Sequence, residues 1–146
     1  MMQQDWKTYY ISQLTLLDER KEQWADKYFP SPGRERSQFL QFVDRYTSAV
    51  EGLIGQQEQA AGSFEAPFVL IGSTVTIEYV SDGSRESYTI CLPEQMDIDC
   101  GHISFLSPLG RQLLLASPSD TVKVKAPDGE LEVLIKSIDI HYIQDD

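Results

Sequence analysis

Between Asp5 and Tyr28 no glycine or proline interrupts the chain, and Tyr10, Leu14, Leu17, Trp24 and Tyr28 recur at steps of 4, 3, 7 and 4, with Lys21 filling the long step. That heptad-like seam predicts an amphipathic helix. Asp18, Glu19, Arg20, Lys21 and Glu22 form its mixed-charge outer face, where Glu22 meets Asp18 and Asp26 only as like charges. Phe29-Pro30-Ser31-Pro32-Gly33 then interrupts the pattern. Pro30 drives the preceding residue out of helical backbone. Ser31 and Pro32 predict the start of a second helix, with a hydroxyl cap followed by a proline at the first helical position. Phe39, Phe42, Val43, Tyr46, Val50 and Leu53 form its stripe, and Gly55 is the expected left-handed stop. Two helices of about 23 residues, each roughly 35 Å long and joined by so short a turn, must run antiparallel.

Gln56 to Ser63 is polar and small, and reads as a linker or a frayed helix end. From Phe68 the period changes to two. Val75, Ile77 and Tyr79 alternate with Thr74, Thr76 and Glu78, Ser81-Asp82-Gly83-Ser84 reads as a hairpin turn, and Glu86 to Leu92 returns. After an acidic loop from Pro93 to Gly101, Ile103 to Leu106 is a third strand. Thr121 to Ala126 is a fourth, with Val122 and Val124 on one face and Lys123 and Lys125 on the other. Pro127-Asp128-Gly129 turns the chain into a last strand, Leu131 to Ile140. The class expected is α+β, with an antiparallel two-helix hairpin over residues 1–60 followed by an antiparallel sheet domain with one short helix over residues 66–146.

Charge narrows the function. The net charge is −11; residues 1–60 carry seven basic and nine acidic side chains and residues 61–146 carry five and fourteen, so the second part holds −9 of it. Such a surface repels a phosphate backbone, so direct nucleic-acid binding is not expected and a protein partner with basic surface is. No run of about eighteen apolar residues is present, so no membrane span is expected. Met1-Met2-Gln3-Gln4-Asp5 has no basic stretch leading into an apolar one, and a cytoplasmic location follows. Cys91 and Cys100 read as free, buried thiols, and Asp99-Cys100-Gly101-His102 lacks the paired-cysteine spacing of a metal site, so no metal or other cofactor is expected. There is no glycine-rich phosphate loop and no nucleophile elbow; His102 lies in a loop and His141 at the exposed end of a strand, far apart in sequence. The chain does not read as an enzyme in its own right.

One stretch organises the second half. Ile103-Ser104-Phe105-Leu106-Ser107-Pro108-Leu109-Gly110-Arg111-Gln112-Leu113-Leu114 reads as a strand that stops at Ser107 and turns at once into a helix, capped by Ser107 and opened by Pro108. Leu109, Leu113 and Leu114 share one face and are expected to be core, while Arg111 and Gln112 point elsewhere. This stretch is followed by Ser119 to Glu130 and Val133 to Ile138, and preceded by Ile71 to Ile77. Together they resemble the C-terminal domain of the bacterial GreA/GreB transcript-cleavage factors. The resemblance implies an FKBP-like fold for this half and RNA polymerase as the partner. Gre factors dock at the rim of the polymerase secondary channel through this domain and insert a helical hairpin down the channel. Acidic residues at the hairpin tip there help hold a metal ion and water while the polymerase cleaves backtracked RNA. The matching docking positions are Ser107, Pro108, Leu109 and Arg111, with Gln112 beside them. Ser107 and Pro108 also suffice as a plain helix cap.

The tip departs from the family pattern, which places an aspartate and a glutamate three apart to complete the oxygen shell of Mg²⁺. Here Asp26 and Glu35 flank the turn among Lys27, Arg34 and Arg36, cations that satisfy the carboxylates or repel a metal. Glu35 in a helix first turn also has a plain dipole role. The arm is shorter than in the cleavage factors and resembles that of Rnk-like relatives, which lack cleavage activity. Tyr28 and Phe29 either staple the hairpin end or form a contact surface. The expectation is a polymerase-binding elongation modulator without efficient cleavage stimulation, with Mg²⁺ in question only as shared with the polymerase active site. The alternatives are a true cleavage factor using Asp26 and Glu35, a prolyl isomerase on the FKBP-like fold, and a homodimer assembled through Trp6, Tyr9, Tyr10 and Ile11 of the arm.

Overall fold

The computed structural model describes residues 6–56, 66–126 and 129–140. The chain divides into two compact units, Met1–Phe64 and Glu65–Asp146. The first consists of α1 (Trp6–Tyr28) and α2 (Arg34–Gln56). Side-chain contacts step away from the turn in antiparallel order: Arg36 to Asp26 at 2.9 Å, Lys21 to Asp44 at 3.6 Å, and the Tyr46 hydroxyl to Gln13 Oε1 at 2.6 Å. Tyr10, Leu17, Trp24 and Ala25 of α1 are buried against Phe39, Val43, Tyr46, Val50 and Leu53 of α2, whose steps of 4, 3, 4 and 3 are those of a helical seam.

Four details differ from the sequence expectation. Gln13 takes the seam position in place of Leu14, because the Tyr46 hydroxyl satisfies its amide oxygen. Tyr28 is 41% exposed and lies beyond the seam, with Lys27 Nζ 5.4 Å from its ring centre. Ser31 and Pro32 do not open α2; the chain first bends at Gly33, whose φ of +146° suits a residue without Cβ, and whose carbonyl accepts the first helical bond from Ser37 N at 3.1 Å. Gly55 is not a left-handed cap, since α2 runs through it to Gln56. The expected linker beyond Gln56 and the reading of His141 fall outside the described residues.

The second unit is a five-stranded sheet with α3 (Pro108–Leu113). Its strands are β1 (Ser73–Tyr79), β2 (Arg85–Cys91), β3 (His102–Ser104), β4 (Thr121–Ala126) and β5 (Gly129–Ile140), in the order β3-β2-β1-β5-β4. Three of the four neighbouring pairs are antiparallel. β3 joins β2 in parallel, because residues 93–100 carry the chain back along the sheet through two short 3₁₀ turns instead of a hairpin. The β1–β2 hairpin is the expected one: Asp82 Oδ1 accepts from Ser84 N and Oγ, which holds the Asp82 carboxyl below its ordinary range, and Gly83 takes φ +75°. β3 ends at Ser104, short of Leu106. Ser104 turns the chain by accepting from Leu106 N on its hydroxyl and from Ser107 on its carbonyl. His102 is therefore the first residue of β3, not part of a loop.

A bulge at Lys136 shifts the β1–β5 register between Thr76 and Ile77. It lets Ile135 and Ile138, three apart, pair with Ile77 and Val75, so both lie on one face. Val75, Ile77, Ile90, Phe105, Leu113 and Ile135 are the fully buried centre.

Candidate functional site

The candidate site is built where β3 hands over to α3. Ser107 Oγ donates to the Ser104 carbonyl at 2.7 Å and accepts from Gly110 N at 3.0 Å, so one hydroxyl ties the helix start to the strand end. Gly110 presses the first helical turn onto that strand end; a Cβ there would stand 2.2 Å from the Ser104 carbonyl oxygen. Leu113 and Leu114 are buried. Leu109 is half-buried, since it lies on the wall of a groove.

That groove has a volume of about 400 Å³. Ile77, Val124 and Val133 are its buried floor, and Ser107, Pro108 and Leu109 line one side. Met96, Ile98 and Leu131 stand on its rim, 53%, 76% and 42% exposed. They are half of the six large apolar side chains left exposed among the described residues, and concentration of that kind marks a contact surface. Tyr79 closes one wall. Its hydroxyl donates to Glu86 Oε1 at 2.5 Å, and that bond, with burial, pushes the phenol well above its ordinary range. Burial also pushes the neighbouring Tyr88 phenol up.

Of the five docking positions read from the sequence, Ser107, Pro108 and Leu109 come together on the groove. Arg111 is exposed outside its lining. Gln112 uses both ends of its side-chain amide within the fold: Nε2 donates to the Pro108 carbonyl at 2.8 Å, and Oε1 accepts from Lys125 N at 2.9 Å, bracing α3 against β4. Met96, Ile98 and Leu131, absent from the sequence expectation, line the groove with Ser107, Pro108 and Leu109. A signal was present, because Met96 and Ile98 are apolar residues alternating with Asp97 and Asp99 in an otherwise acidic loop.

At the arm tip, Arg36 binds Asp26 Oδ1 at 2.9 Å, and its other nitrogen donates to the Phe29 carbonyl at 3.3 Å. The Phe29 ring stacks on Phe39 with centres 5.1 Å apart, which is the stapling role. Glu35 is exposed in the first turn of α2. Asp26 thus has a cationic partner, and Lys27 and Arg34 add positive charge on the same turn. Among the described residues no three His, Cys, Asp or Glu side chains gather as a cation site. Cys91 is buried as expected, its thiol pushed up to about 11. Cys100 is exposed, contrary to expectation, because it ends a surface 3₁₀ turn; a hydrogen bond to Asp97 raises its thiol.

No helix among the described residues is long and apolar enough to cross a membrane. Residues 65–140, just over half of the chain, match the family model described as the C-terminal domain of transcription elongation factor GreA/GreB. Transcription elongation factor GreA of Anaeromyxobacter sp. (strain K) is 35% identical over 99 residues, covering 62% of this chain and 60% of that protein. GreA of Maridesulfovibrio salexigens is 40% identical over 70 residues, 48% of this chain and 44% of that one. The chain spans about half the length of the curated relatives it matches. Among solved structures, GreA/GreB from Nitrosomonas europaea aligns with a TM-score of 0.47 at 24% identity, over 61% of this chain and 78% of that one. Gfh1 of Thermus aquaticus aligns with a TM-score of 0.47 at 20% identity, over 88% and 90%. On the match across its second half, the chain belongs to the GreA/GreB family of transcription elongation factors.

Proposed function

We propose that the protein binds RNA polymerase and modulates elongation, docking at the secondary-channel rim through residues 66–146 and working without efficient stimulation of transcript cleavage. One observation carries the docking half. Ser107, Pro108 and Leu109, in the segment that matches the family, line an apolar groove with Met96, Ile98 and Leu131 exposed at its rim. Arg111 stands next to that wall as an additional charged contact, while Gln112 acts by holding α3 in place. The helical arm of residues 1–60 is the part that enters the channel, with Tyr28 and Phe29 at its tip. The chemistry belongs to the polymerase, so the protein is not an enzyme itself, and its location is cytoplasmic. The acidic surface of the second unit supports a protein partner over nucleic acid.

The test is capture of core polymerase by wild type, Leu109→Asp, Ile98→Asp and Arg111→Glu. Each buried apolar side chain lost from the contact is worth about 1.5–3 kcal/mol, so the two aspartate variants bind about tenfold or more weakly. Failure of the wild type to bind at micromolar concentration refutes the proposal. Two rivals have direct assays. A prolyl isomerase needs an aromatic-floored pocket, and among the described residues Tyr79 is the one aromatic side chain lining this groove, with its hydroxyl committed to Glu86; turnover of a proline peptide would reveal it. Assembly through the arm, where Ile11 is 53% exposed, shows as a concentration-dependent mass in light scattering.

A further inference from the structure

We infer that Arg36 is a built-in occupant of the Asp26 carboxylate, and that this single side chain closes the arm tip to divalent cations. The inference extends the tip half of the proposed function; its test reads the chain alone, so its failure leaves polymerase docking untouched. Three observations converge. Arg36 is held from two directions, by Asp26 Oδ1 at 2.9 Å and by the Phe29 carbonyl at 3.3 Å, so its guanidinium is fixed before any ligand arrives. The Arg36 side chain is 24% exposed and packed into the turn while the Asp26 carboxylate is 73% exposed, so the position of the guanidinium is set by the fold and the pair itself remains screened by solvent. Residues 26–36 carry three basic and two acidic side chains, so even a freed Asp26 faces Lys27 and Arg34.

The three cations have different roles. Lys27 lies over the Tyr28 ring, 5.4 Å from its centre, and the ion pair with Asp26 is made by Arg36. Mg²⁺ and Mn²⁺ bind through one or two carboxylates and keep most of their water. A tip of this kind has few ligands to offer, and losing Asp26 to Arg36 removes one of two. Replacing Arg36 with a neutral side chain both frees that carboxylate and removes one positive charge within contact distance. In a water-exposed setting each change is worth a factor of about five in cation affinity. Replacement by lysine keeps the charge and keeps the site closed.

The experiment is Mn²⁺ titration of the full chain, followed by paramagnetic broadening of the backbone amide signals of residues 26–36. Wild type and Arg36→Lys are expected to show little broadening at Mn²⁺ concentrations where Arg36→Gln shows it clearly, with an apparent affinity at least fivefold higher. Adding Asp26→Asn to Arg36→Gln abolishes the gain. Asp26→Asn alone leaves the weak wild-type response unchanged, and this arm stands even if Arg36→Gln disturbs the turn. Equal broadening in wild type and Arg36→Gln overturns the inference, as does a reduced response in Asp26→Asn alone, which would show that Asp26 already binds the cation.

Discussion

Replacing Gly110 by alanine puts a methyl group where the fold has no room. The added Cβ would stand 2.2 Å from the Ser104 carbonyl oxygen and 2.9 Å from Ser107 Oγ. Carbon–oxygen contacts begin at about 3.3 Å, so α3 and the end of β3 must separate by about 1 Å. The carbonyl cannot swing aside alone, because it accepts from both Ser107 N at 3.0 Å and Ser107 Oγ at 2.7 Å. Overpacking of this kind costs about 1–3 kcal/mol. A weakened cap adds about 1 kcal/mol, and the better helix propensity of alanine returns about 1 kcal/mol. The net is about 2 kcal/mol against the second unit, which corresponds to roughly a 30-fold change in its opening equilibrium. Both tryptophans, Trp6 and Trp24, belong to the first unit, whereas Cys91 is buried in the second. Thiol labelling of Cys91 in a Cys100→Ser background therefore reports one unit and tryptophan fluorescence the other. The expected result is about 30-fold faster Cys91 labelling with an unchanged fluorescence transition in urea. An acceleration below about threefold would refute the packing account of Gly110.

Three further outcomes follow from particular contacts. Tyr46→Phe removes the hydroxyl that satisfies buried Gln13, and should destabilise the first unit by about 1–2 kcal/mol in urea unfolding followed by tryptophan fluorescence; Gln13→Leu added to it should recover much of the loss. Gly52→Ala, on α2 with nothing within 4 Å of the new Cβ, should stabilise the same unit by about 1 kcal/mol, and a destabilisation would contradict the open surface described. The Cys91 thiol is pushed by burial from 9.0 up to about 11. Its folded value is the higher one, so the stability it represents is intact below about pH 9 and is lost as pH rises through about 11. That loss amounts to roughly 2–3 kcal/mol. Between about pH 8 and pH 10.5 wild type should lose more stability than Cys91→Ala; parallel loss would show that the thiol ionises as easily folded as unfolded.

The seam of α1 and α2 was legible because helical period and the proline-rich turn are local signals. Its exact members were not: Gln13 displaced Leu14 only because Tyr46, thirty-three residues away, supplies a hydroxyl. The start of α2 shows the same limit. Ser31 and Pro32 had the residue types of a cap, yet Gly33 alone could take the backbone angle that turns the chain into α2. In the second unit the Ser107 cap was legible in full, since it depends on residues three apart. The groove was not, because Met96, Ile98, Leu109 and Leu131 are separated by up to 35 positions and meet only when the 93–100 segment folds back over the sheet.

Residue order alone determined the two helices, the β1–β2 hairpin turn, the strand pattern and the helix start at Ser107, each set by interactions within a few residues. The fold decided the rest: that β3 runs parallel to β2, that a bulge at Lys136 keeps Ile135 and Ile138 on one face, that Gln112 braces α3 against β4, and that Arg36 is the cation that claims Asp26. The physical reason is range. Backbone preference and side-chain period act locally, whereas a groove wall or an ion pair across a hairpin exists only once distant segments have been brought within a few ångströms.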